Sequence, residues 1–496
     1  MTQLVSSRPE STEFSGDETN PLLEGISVAT NKTEYLRLLP KNPFLIAGWL
    51  SEHQDIDLFR AYLSSVIVPT SHVLEIGLAI HRAFKTSAYQ QNPAVLNNRI
   101  AYFSASHSTP AAAMSQTTHS GVVILGITGV GKTYALVAAL STIPQTVQRL
   151  GILNMAQVTQ ITWIRLDMSS IASIEALAEQ IIRAIDDALS SGGAVYAQTL
   201  AGVRGASAKM ERALRLMKTH FISMLVVDEI QADNFSKSSS SDLRFWFLRI
   251  ANQKISLVFS GNPLGFELPP SKNDSGANRI ATQQLRRLFA SNRIRIDPAR
   301  SVEDPDWNTL ILGLARCHLD GSVSNVDVAL EELKLQLTGG FPDFYIALHC
   351  ELERIRIGTR GFVEDSNSID LAAKSSSLIR EMQPLISAIS AQDPIALLRC
   401  IDVDHKYFMQ KWINRSVPPT EPSVVNSDVR KSESHEPNEA ILKSIDTDRK
   451  RIEGIGNRKR ALANQPASET KSAIIDFHLD QLGTVISGGT SGDDDG

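Results

Sequence analysis

The spacing of apolar residues divides the 496-residue chain into five stretches of different character. Residues 1–34 are rich in Ser, Thr, Glu and Asn and read as a flexible leader. Residues 35–105 read as a helical region. Val73, Ile76, Ile80 and Phe84 recur there at three- and four-residue steps, between a start signal at Pro69-Thr70-Ser71 and a stop at Asn92-Pro93. From 106 to 300, short apolar runs alternate with helical segments, the pattern of a parallel sheet with crossover helices. The predicted strands are Gly121–Leu125, Ile161–Leu166, Met224–Val227 and Ser256–Ser260, and their Val, Ile and Leu content suits burial on both faces. Predicted helices are Lys132–Ser141, Ile174–Leu189, Lys209–His220 and Leu243–Ile250.

Residues 301–412 read as all-helical, with helices expected at Trp307–His318, Val326–Leu337, Pro342–Ile355, Ser368–Ile379 and Pro384–Arg399. Residues 413–496 turn polar and rich in Ser, Glu, Pro and Gly, the composition of a mostly disordered tail. The fold class is therefore α/β with a parallel sheet, followed by a helical module and flanked by polar extensions.

Bulk composition changes this picture little. At 42% hydrophobic and 21% charged residues, with a formal net charge of −5, the chain is ordinary for a globular protein and does not suit a wholesale nucleic-acid coat. Cys317, Cys350 and Cys400 are too widely spaced for a disulfide framework or a metal knuckle. No apolar stretch reaches the length of a membrane span, and no signal pattern opens the chain, so a cytoplasmic protein without a membrane partner is expected.

The sharpest chemistry lies at the first predicted strand end. Gly126-Ile127-Thr128-Gly129-Val130-Gly131-Lys132-Thr133, followed by Tyr134, completes the G-x-x-x-x-G-K-[ST] pattern between an apolar strand and an apolar helix. Glycines let the backbone curl into a nest of N–H groups at the positive end of a helix, which is where phosphate oxygens bind. Lys132 is expected to neutralise the β- and γ-phosphates of ATP, and Thr133 to hold Mg²⁺ through its hydroxyl. The strand Met224–Val227 runs into Asp228 and Glu229. Adjacent acids at a strand end can divide two roles, Asp228 supporting the metal shell and Glu229 polarising water for attack on the γ-phosphate. The next strand ends in Ser260-Gly261-Asn262-Pro263, where Asn262, or second Ser260, is the polar candidate to sense the γ-phosphate; a plain turn is the alternative.

Basic residues gather in two places. Arg279, Arg286, Arg287, Arg293, Arg295 and Arg300 fall within one short stretch. Arg286 and Arg287 are the candidates for a finger reaching a neighbouring subunit's ATP, while DNA phosphates or a solvated helix face account for such arginines equally well. Arg204 and Lys209, beside a glycine-rich segment, are the candidate DNA contacts. In the tail, Arg449-Lys450-Arg451 and Arg458-Lys459-Arg460 suit non-specific DNA contact or plain solvation, and Ile474–Leu482 suits a partner-binding peptide or a helix without a role.

Taken together, these motifs resemble the AAA+ ATPases. Within them, the chain is similar over roughly residues 60–405 to the TnsC/TniB-type regulators of Tn-seven-like transposons. The resemblance rests on Val68-Pro69-Thr70, the phosphate loop, Leu225–Gln231 and Ser260–Pro263, then Thr338–Pro342 and the more discriminating Pro384–Pro394 with its Gln392-Asp393-Pro394 ending. It implies an ATP hydrolase that forms rings or helical homo-oligomers on duplex DNA. Such a protein receives a target-selection protein on one side and recruits transposase on the other, with hydrolysis timing disassembly. The lid segment Thr338–Asp343 departs from many AAA+ proteins in lacking a second-sensor arginine. A helicase-loader or replication-initiator ATPase shares every nucleotide motif. A signalling or defence P-loop ATPase is disfavoured by the polar tail.

Overall fold

The computed structural model describes residues 3–6, 20–40, 55–104, 121–152, 157–189, 195–231, 241–266, 292–315, 317–319 and 326–416, with Asn234 and Leu288 between. Arg279, Arg286, Arg287 and the tail segments singled out above lie outside the described residues. No helix of the described residues is long and apolar enough to cross a membrane.

Its strands in chain order are β1 (Gln3–Ser6), β2 (Val122–Leu125), β3 (Thr146–Leu150), β4 (Gln157–Ile161), β5 (Trp163–Asp167), β6 (Met224–Ile230), β7 (Ser256–Gly261) and β8 (Arg293–Arg295). Five of them form a parallel sheet in the order β5-β6-β7-β2-β8, and β1, β3 and β4 form a smaller sheet. Alternation along each central strand feeds two cores. Val122, Ile124, Met224, Val226 and Val258 face the helices Ser71–Gln91 and Lys132–Ser141. Val123, Leu125, Leu225, Val227 and Phe259 face the helices Ile174–Ala188, Ala206–Thr219 and Ser241–Asn252. A strand buried on both sides must be apolar throughout, which is why these runs are legible in the sequence.

Local signals set most boundaries. Thr70 caps the Ser71–Gln91 helix by accepting from Val73 N–H at 3.4 Å, and Ser173 caps Ile174–Ala188 through Ala176 N–H at 3.1 Å. Pro305 and Pro342 open lid helices that reach Leu314 and Gly358, where a missing N–H costs nothing. Gly339, at φ +62°, stops Val328–Thr338 in the left-handed conformation.

The structure departs from the sequence expectations in four places. The predicted strand Ile161–Leu166 is two strands, β4 and β5, split at Thr162, whose N–H and C=O bond instead to Gln145 and Met224. The expected helix Ser368–Ile379 breaks at Ser376, which caps a new helix, Ser377–Ser390. Pro384, expected to start a helix, lies inside that one, and the chain turns instead at Gln392 before a short helix, Pro394–Leu397. In the stretch read as a leader, Leu22, Ile26 and Ala29 are buried, and Arg149 on β3 binds the Leu22 carbonyl at 2.9 Å and Gln160 at 2.8 Å. Polar β3 and β4 escape a hydrophobicity reading because Arg149 and Gln160 are buried as a hydrogen-bonded pair.

The leader also reaches the main core through His81. Ala29 N–H donates to His81 Nδ1 at 3.0 Å, so the ring is the neutral Nε2–H tautomer, with Thr142 Oγ1 2.7 Å from Nε2. Burial pulls this histidine down from 6.5 to about 4, and burial does the same to His349. As pH falls from 6.5 toward 4, the unfolded chain takes up protons that the folded chain refuses. Stability is therefore complete above this window and lost through it, on the order of 3 kcal/mol per ring at most. Thermal melts should show the midpoint falling between pH 7 and pH 5. His81→Asn, which keeps an acceptor for Ala29, should flatten that fall; an unchanged slope in the variant would exclude His81 as a source of it.

Candidate nucleotide-binding and hydrolysis site

Three adjacent strands end at one edge of the sheet: β2 in the centre of the site, β7 beside it and β6 beyond. Ladder bonds continue past the strands, with Gly126 N–H bonded to Gly261 C=O at 3.2 Å and Asn262 N–H to Ile230 C=O at 2.7 Å. The phosphate loop, the sensor candidate and the acidic pair are thereby fixed in one row.

Residues 126–131 form the expected loop. Gly129 and Gly131 sit at φ +86° and +93°, a region a side chain rarely adopts. A Cβ on Gly131 would meet nothing within 4 Å, so the loop encloses open space over the N-terminus of the Lys132–Ser141 helix. That helix has no side-chain cap on its first N–H groups. Uncapped amide donors, a helix N-terminus and a lysine together fit a phosphate chain. Lys132 Nζ rests on its own loop, donating to Ile127 C=O at 2.9 Å. Burial lowers the lysine's pKa, opposed by the negative charges of Glu229, Asp228 and Asp402. Thr133 and Tyr134 occupy the helix's first turn. Bound there, Mg²⁺ would supply charge neutralisation between the phosphates, and Thr133 and Asp228 would be the side chains to hold it.

Asp228 is 1% exposed, and each of its oxygens accepts a hydrogen bond. Its Oδ1 accepts from Glu229 N–H at 3.0 Å and its Oδ2 from Arg165 Nη2 at 2.8 Å. Glu229 is exposed and has φ +58°, at an irregularity in the β6–β7 pairing between Val227 and Ile230. This bulge turns the second carboxylate outward while its neighbour stays buried. A non-glycine residue held in the left-handed region costs energy that the flanking ladder must supply.

Asn262 is buried at the end of β7; its Oδ1 accepts from Leu264 N–H at 3.0 Å and its Nδ2 donates to the Asp402 carbonyl. Ser260 Oγ is buried and has no hydrogen-bond partner among the described residues. A turn at residues 400–404 therefore covers the sensor candidate Asn262. It leads into the helix His405–Ser416, anchored by Tyr407 Oη to Asp297 at 2.6 Å, by Lys411 to Asp297, and by Arg295 stacked 3.1 Å from the Tyr407 ring centre. The lid closes from the other side. Phe341 and Phe344 pack on Gly129, Asp343 N–H bonds Gly129 C=O at 3.3 Å, and Gly340 C=O accepts from Ala299 N–H at 2.9 Å. A Cβ on Gly340 would come within 2.0 Å of the Ala299 carbonyl, so this junction requires glycine.

Beside the loop is a cleft open to solvent, lined by Val68, Val130, Tyr134, Ile296, Trp307 and Pro342, among others. Tyr134 Oη donates to Val66 C=O at 2.9 Å and accepts from Val68 N–H, pinning the segment before the Ser71–Gln91 helix to the phosphate-loop helix. Asp306 pins the same segment to the lid, accepting from Ser71 N–H and Oγ at 2.6 Å each. The cleft's apolar walls suit a planar base. In the sequence Tyr134 reads only as a loop neighbour, and Arg165, Asp402 and the cleft escape notice because no local motif marks them.

The basic candidates are placed differently. Lys209 lies between Glu175 and Glu179, the latter at 3.0 Å, and its side chain is 13% exposed. Two carboxylates already neutralise it, which leaves little for a phosphate. Arg204 is exposed in the loop before the Ala206–Thr219 helix. Arg295 is spent on Asp297, Asp404 and Tyr407. Away from this site, the buried trio His318, His349 and Glu353 is a hydrogen-bonded network. Glu353 accepts from His318 Nδ1 at 2.7 Å and Leu319 N–H at 3.0 Å, and His349 Nε2 donates to Cys317 C=O at 2.9 Å.

Residues 115–268 match the AAA domain family, a span that encloses the phosphate loop, Asp228-Glu229 and Asn262. These residues thus have the α/β fold of an AAA domain. No curated protein matches it. Solved structures similar to it include the Aeropyrum pernix Orc1 protein in complex with DNA, at 14% identity over 61% of this chain and 74% of that one, with a TM-score of 0.33. Domain III of the Thermotoga maritima replication initiation protein DnaA is 13% identical over 57% and 93%, TM-score 0.28. AMPPCP-bound DnaA from Aquifex aeolicus is 12% identical over 65% and 87%, TM-score 0.23.

Two substitutions test the site. Lys132→Ala should abolish nucleotide binding in a fluorescent-nucleotide titration. Glu229→Gln should bind ATP as the wild type does and lose at least about 100-fold in turnover, the usual scale for removing a general base. Hydrolysis at the wild-type rate by the Glu229→Gln variant would remove Glu229 from the mechanism.

Proposed function

We propose that this chain is a Mg²⁺-dependent ATP hydrolase whose nucleotide state controls its assembly, as a ring or helical homo-oligomer, on duplex DNA. The observation that carries the ATPase half is the row formed by Lys132, Asp228, Glu229 and Asn262 on three neighbouring strand ends, under a lid seated on Gly129. In the working site the phosphates lie in the loop of residues 126–133 and the metal beside Thr133 and Asp228. Glu229 orients the attacking water, and Asn262 reports the γ-phosphate. The Asn262 amide is tied to the 400–404 turn. Ligand at the γ-position competes for that amide, so nucleotide shifts the turn only as far as it binds the released state better.

Within this reading, the chain acts as a transposition regulator that links a target-selection protein to a transposase. The support is its Pro384–Pro394 resemblance to the TnsC/TniB-type proteins. A replication initiator or helicase loader uses the same ATP site and the same DNA, and differs in the partner it recruits. Arg204 is the exposed DNA-contact candidate among the described residues, while Arg286 and Arg287 remain the candidates for a finger crossing to a neighbour's ATP.

Electron microscopy of the protein with duplex DNA and a non-hydrolysable ATP analogue should show rings or filaments. ATP should give shorter-lived ones, and Glu229→Gln with ATP persistent ones. Monomers under all three conditions would defeat the assembly reading. If assemblies form, capture of a purified transposase by them supports the transposition role, and capture of a replicative helicase instead replaces it with the loader role.

A further inference from the structure

No motif singles out Arg165, yet it holds the most buried carboxylate of the site. β5 is an edge strand whose Ile164 and Leu166 point into the core opposite the phosphate loop. Alternation sends Arg165 and Asp167 to the other face, the one that carries the Lys132–Ser141 helix. Parallel pairing sets Arg165 against Val226 and Asp167 against Asp228, so the guanidinium reaches one pleat along the strand to the buried carboxylate. It is 37% exposed, and among the described residues Asp228 is its ion-pair partner. The other Asp228 oxygen is taken by Glu229 N–H. Each oxygen therefore already accepts one hydrogen bond, and Oδ2, paired with a cation, is the one an incoming metal would contest.

We propose that Arg165 is a positioning residue that acts as the resident counter-cation of Asp228, occupying Oδ2 in the nucleotide-free protein and giving it up when Mg²⁺ enters with ATP. A carboxylate this buried requires a cation at all times. Before loading the cation is the guanidinium, and after loading it is the metal shell. The two compete for one oxygen, so part of the metal's binding energy goes into displacing Arg165, and the preference for Mg²⁺-bound over free nucleotide is reduced by that margin. The exposed edge position lets the side chain leave without unpacking a core. The inference rests on the Mg²⁺–ATP reading above.

The test is a Mg²⁺ titration of fluorescent-ATP binding to the full chain, followed by anisotropy, for the wild type, R165Q, R165K, D228N and the R165Q/D228N double variant. R165Q should lower the half-saturating Mg²⁺ concentration by roughly tenfold, the scale of one charge-assisted hydrogen bond. R165K, which keeps a cation within reach, should stay within about threefold of the wild type. On the D228N background the Arg165 substitution should shift the midpoint less than about twofold, because the carboxylate charge that guanidinium and metal share is gone. Melting temperatures give a second readout: R165Q should melt below the wild type without ligand and gain more from Mg²⁺ with nucleotide. An unchanged or raised Mg²⁺ midpoint in R165Q, or an equal shift on the D228N background, overturns the proposal. A wild type that binds no nucleotide overturns the ATPase reading and this inference with it, whereas normal wild-type binding with an unshifted R165Q overturns the inference alone.

Discussion

Everything at the site depends on the parallel ladder that joins β6, β7 and β2. Parallel strands all end on the same side, and their hydrogen bonds fix the offset between those ends to within a residue. Here the ladder runs on beyond the strands, from Gly261 C=O to the Gly126 N–H and from Ile230 C=O to the Asn262 N–H. The 126–131 loop cannot move relative to Asn262, nor Asn262 relative to the acids, without breaking sheet bonds. Gly261 shows how tight this is: a Cβ there would stand 2.2 Å from the Ile230 carbonyl. Rigid spacing of donors and acids is the condition for stabilising a transition state that differs little from the bound substrate.

Against this fixed row, the parts that can respond to nucleotide are attached by few bonds. Among the described residues, Phe341, Phe344 and the Asp343–Gly129 main-chain bond join the lid to the phosphate loop, and Thr338–Asp343 holds no arginine. On the far side, the 400–404 turn holds Asn262 while the helix behind it is tied to Asp297. Asp297 lies just past β8 and receives Tyr407 and Lys411, whose hydrogen bonds outweigh burial and keep its carboxyl below the usual range. The sensor strand and the strand on the other side of β2 are thus bridged by one segment, residues 400–411. That bridge connects Asn262 to the helix His405–Ser416 by a route separate from the lid.

The sequence is most readable where one physical requirement dominates. Strands buried on both faces must be apolar, so β2, β6 and β7 are located to within a residue or so at their starts, and the glycine pattern of the loop follows from its backbone geometry. Cap residues and N1 prolines place the starts of helices such as Ser71–Gln91 and Pro342–Gly358. Reading fails where side chains satisfy one another at long range. β3 and β4 look too polar for strands until Arg149 finds Gln160 and the Leu22 carbonyl, and β8 is a three-residue strand with two arginines, Arg293 and Arg295. Lys209 looks available for DNA until the Ile174–Ala188 helix brings two glutamates to it. Pairwise spacing in a sequence carries no information about partners supplied by another element.

The same reasoning explains why the acidic pair stands out in the sequence while its environment does not. Asp228 and Glu229 announce themselves as carboxylates after an apolar run, yet their different fates come from the backbone. At Glu229 the chain passes through φ +58°, which turns this carboxylate to solvent and leaves Asp228 at 1% exposure. A regular strand would also send neighbours to opposite faces, but it would keep Ile230 in register. The bulge instead inserts a residue and lets Ile230 rejoin opposite Gly261. One irregular residue therefore does two things: it separates a buried acid from an exposed one, and it restores the pairing that aligns Asn262 with both. The burial it imposes on Asp228 also creates the need for a cation there, which in this structure Arg165 meets from the neighbouring strand.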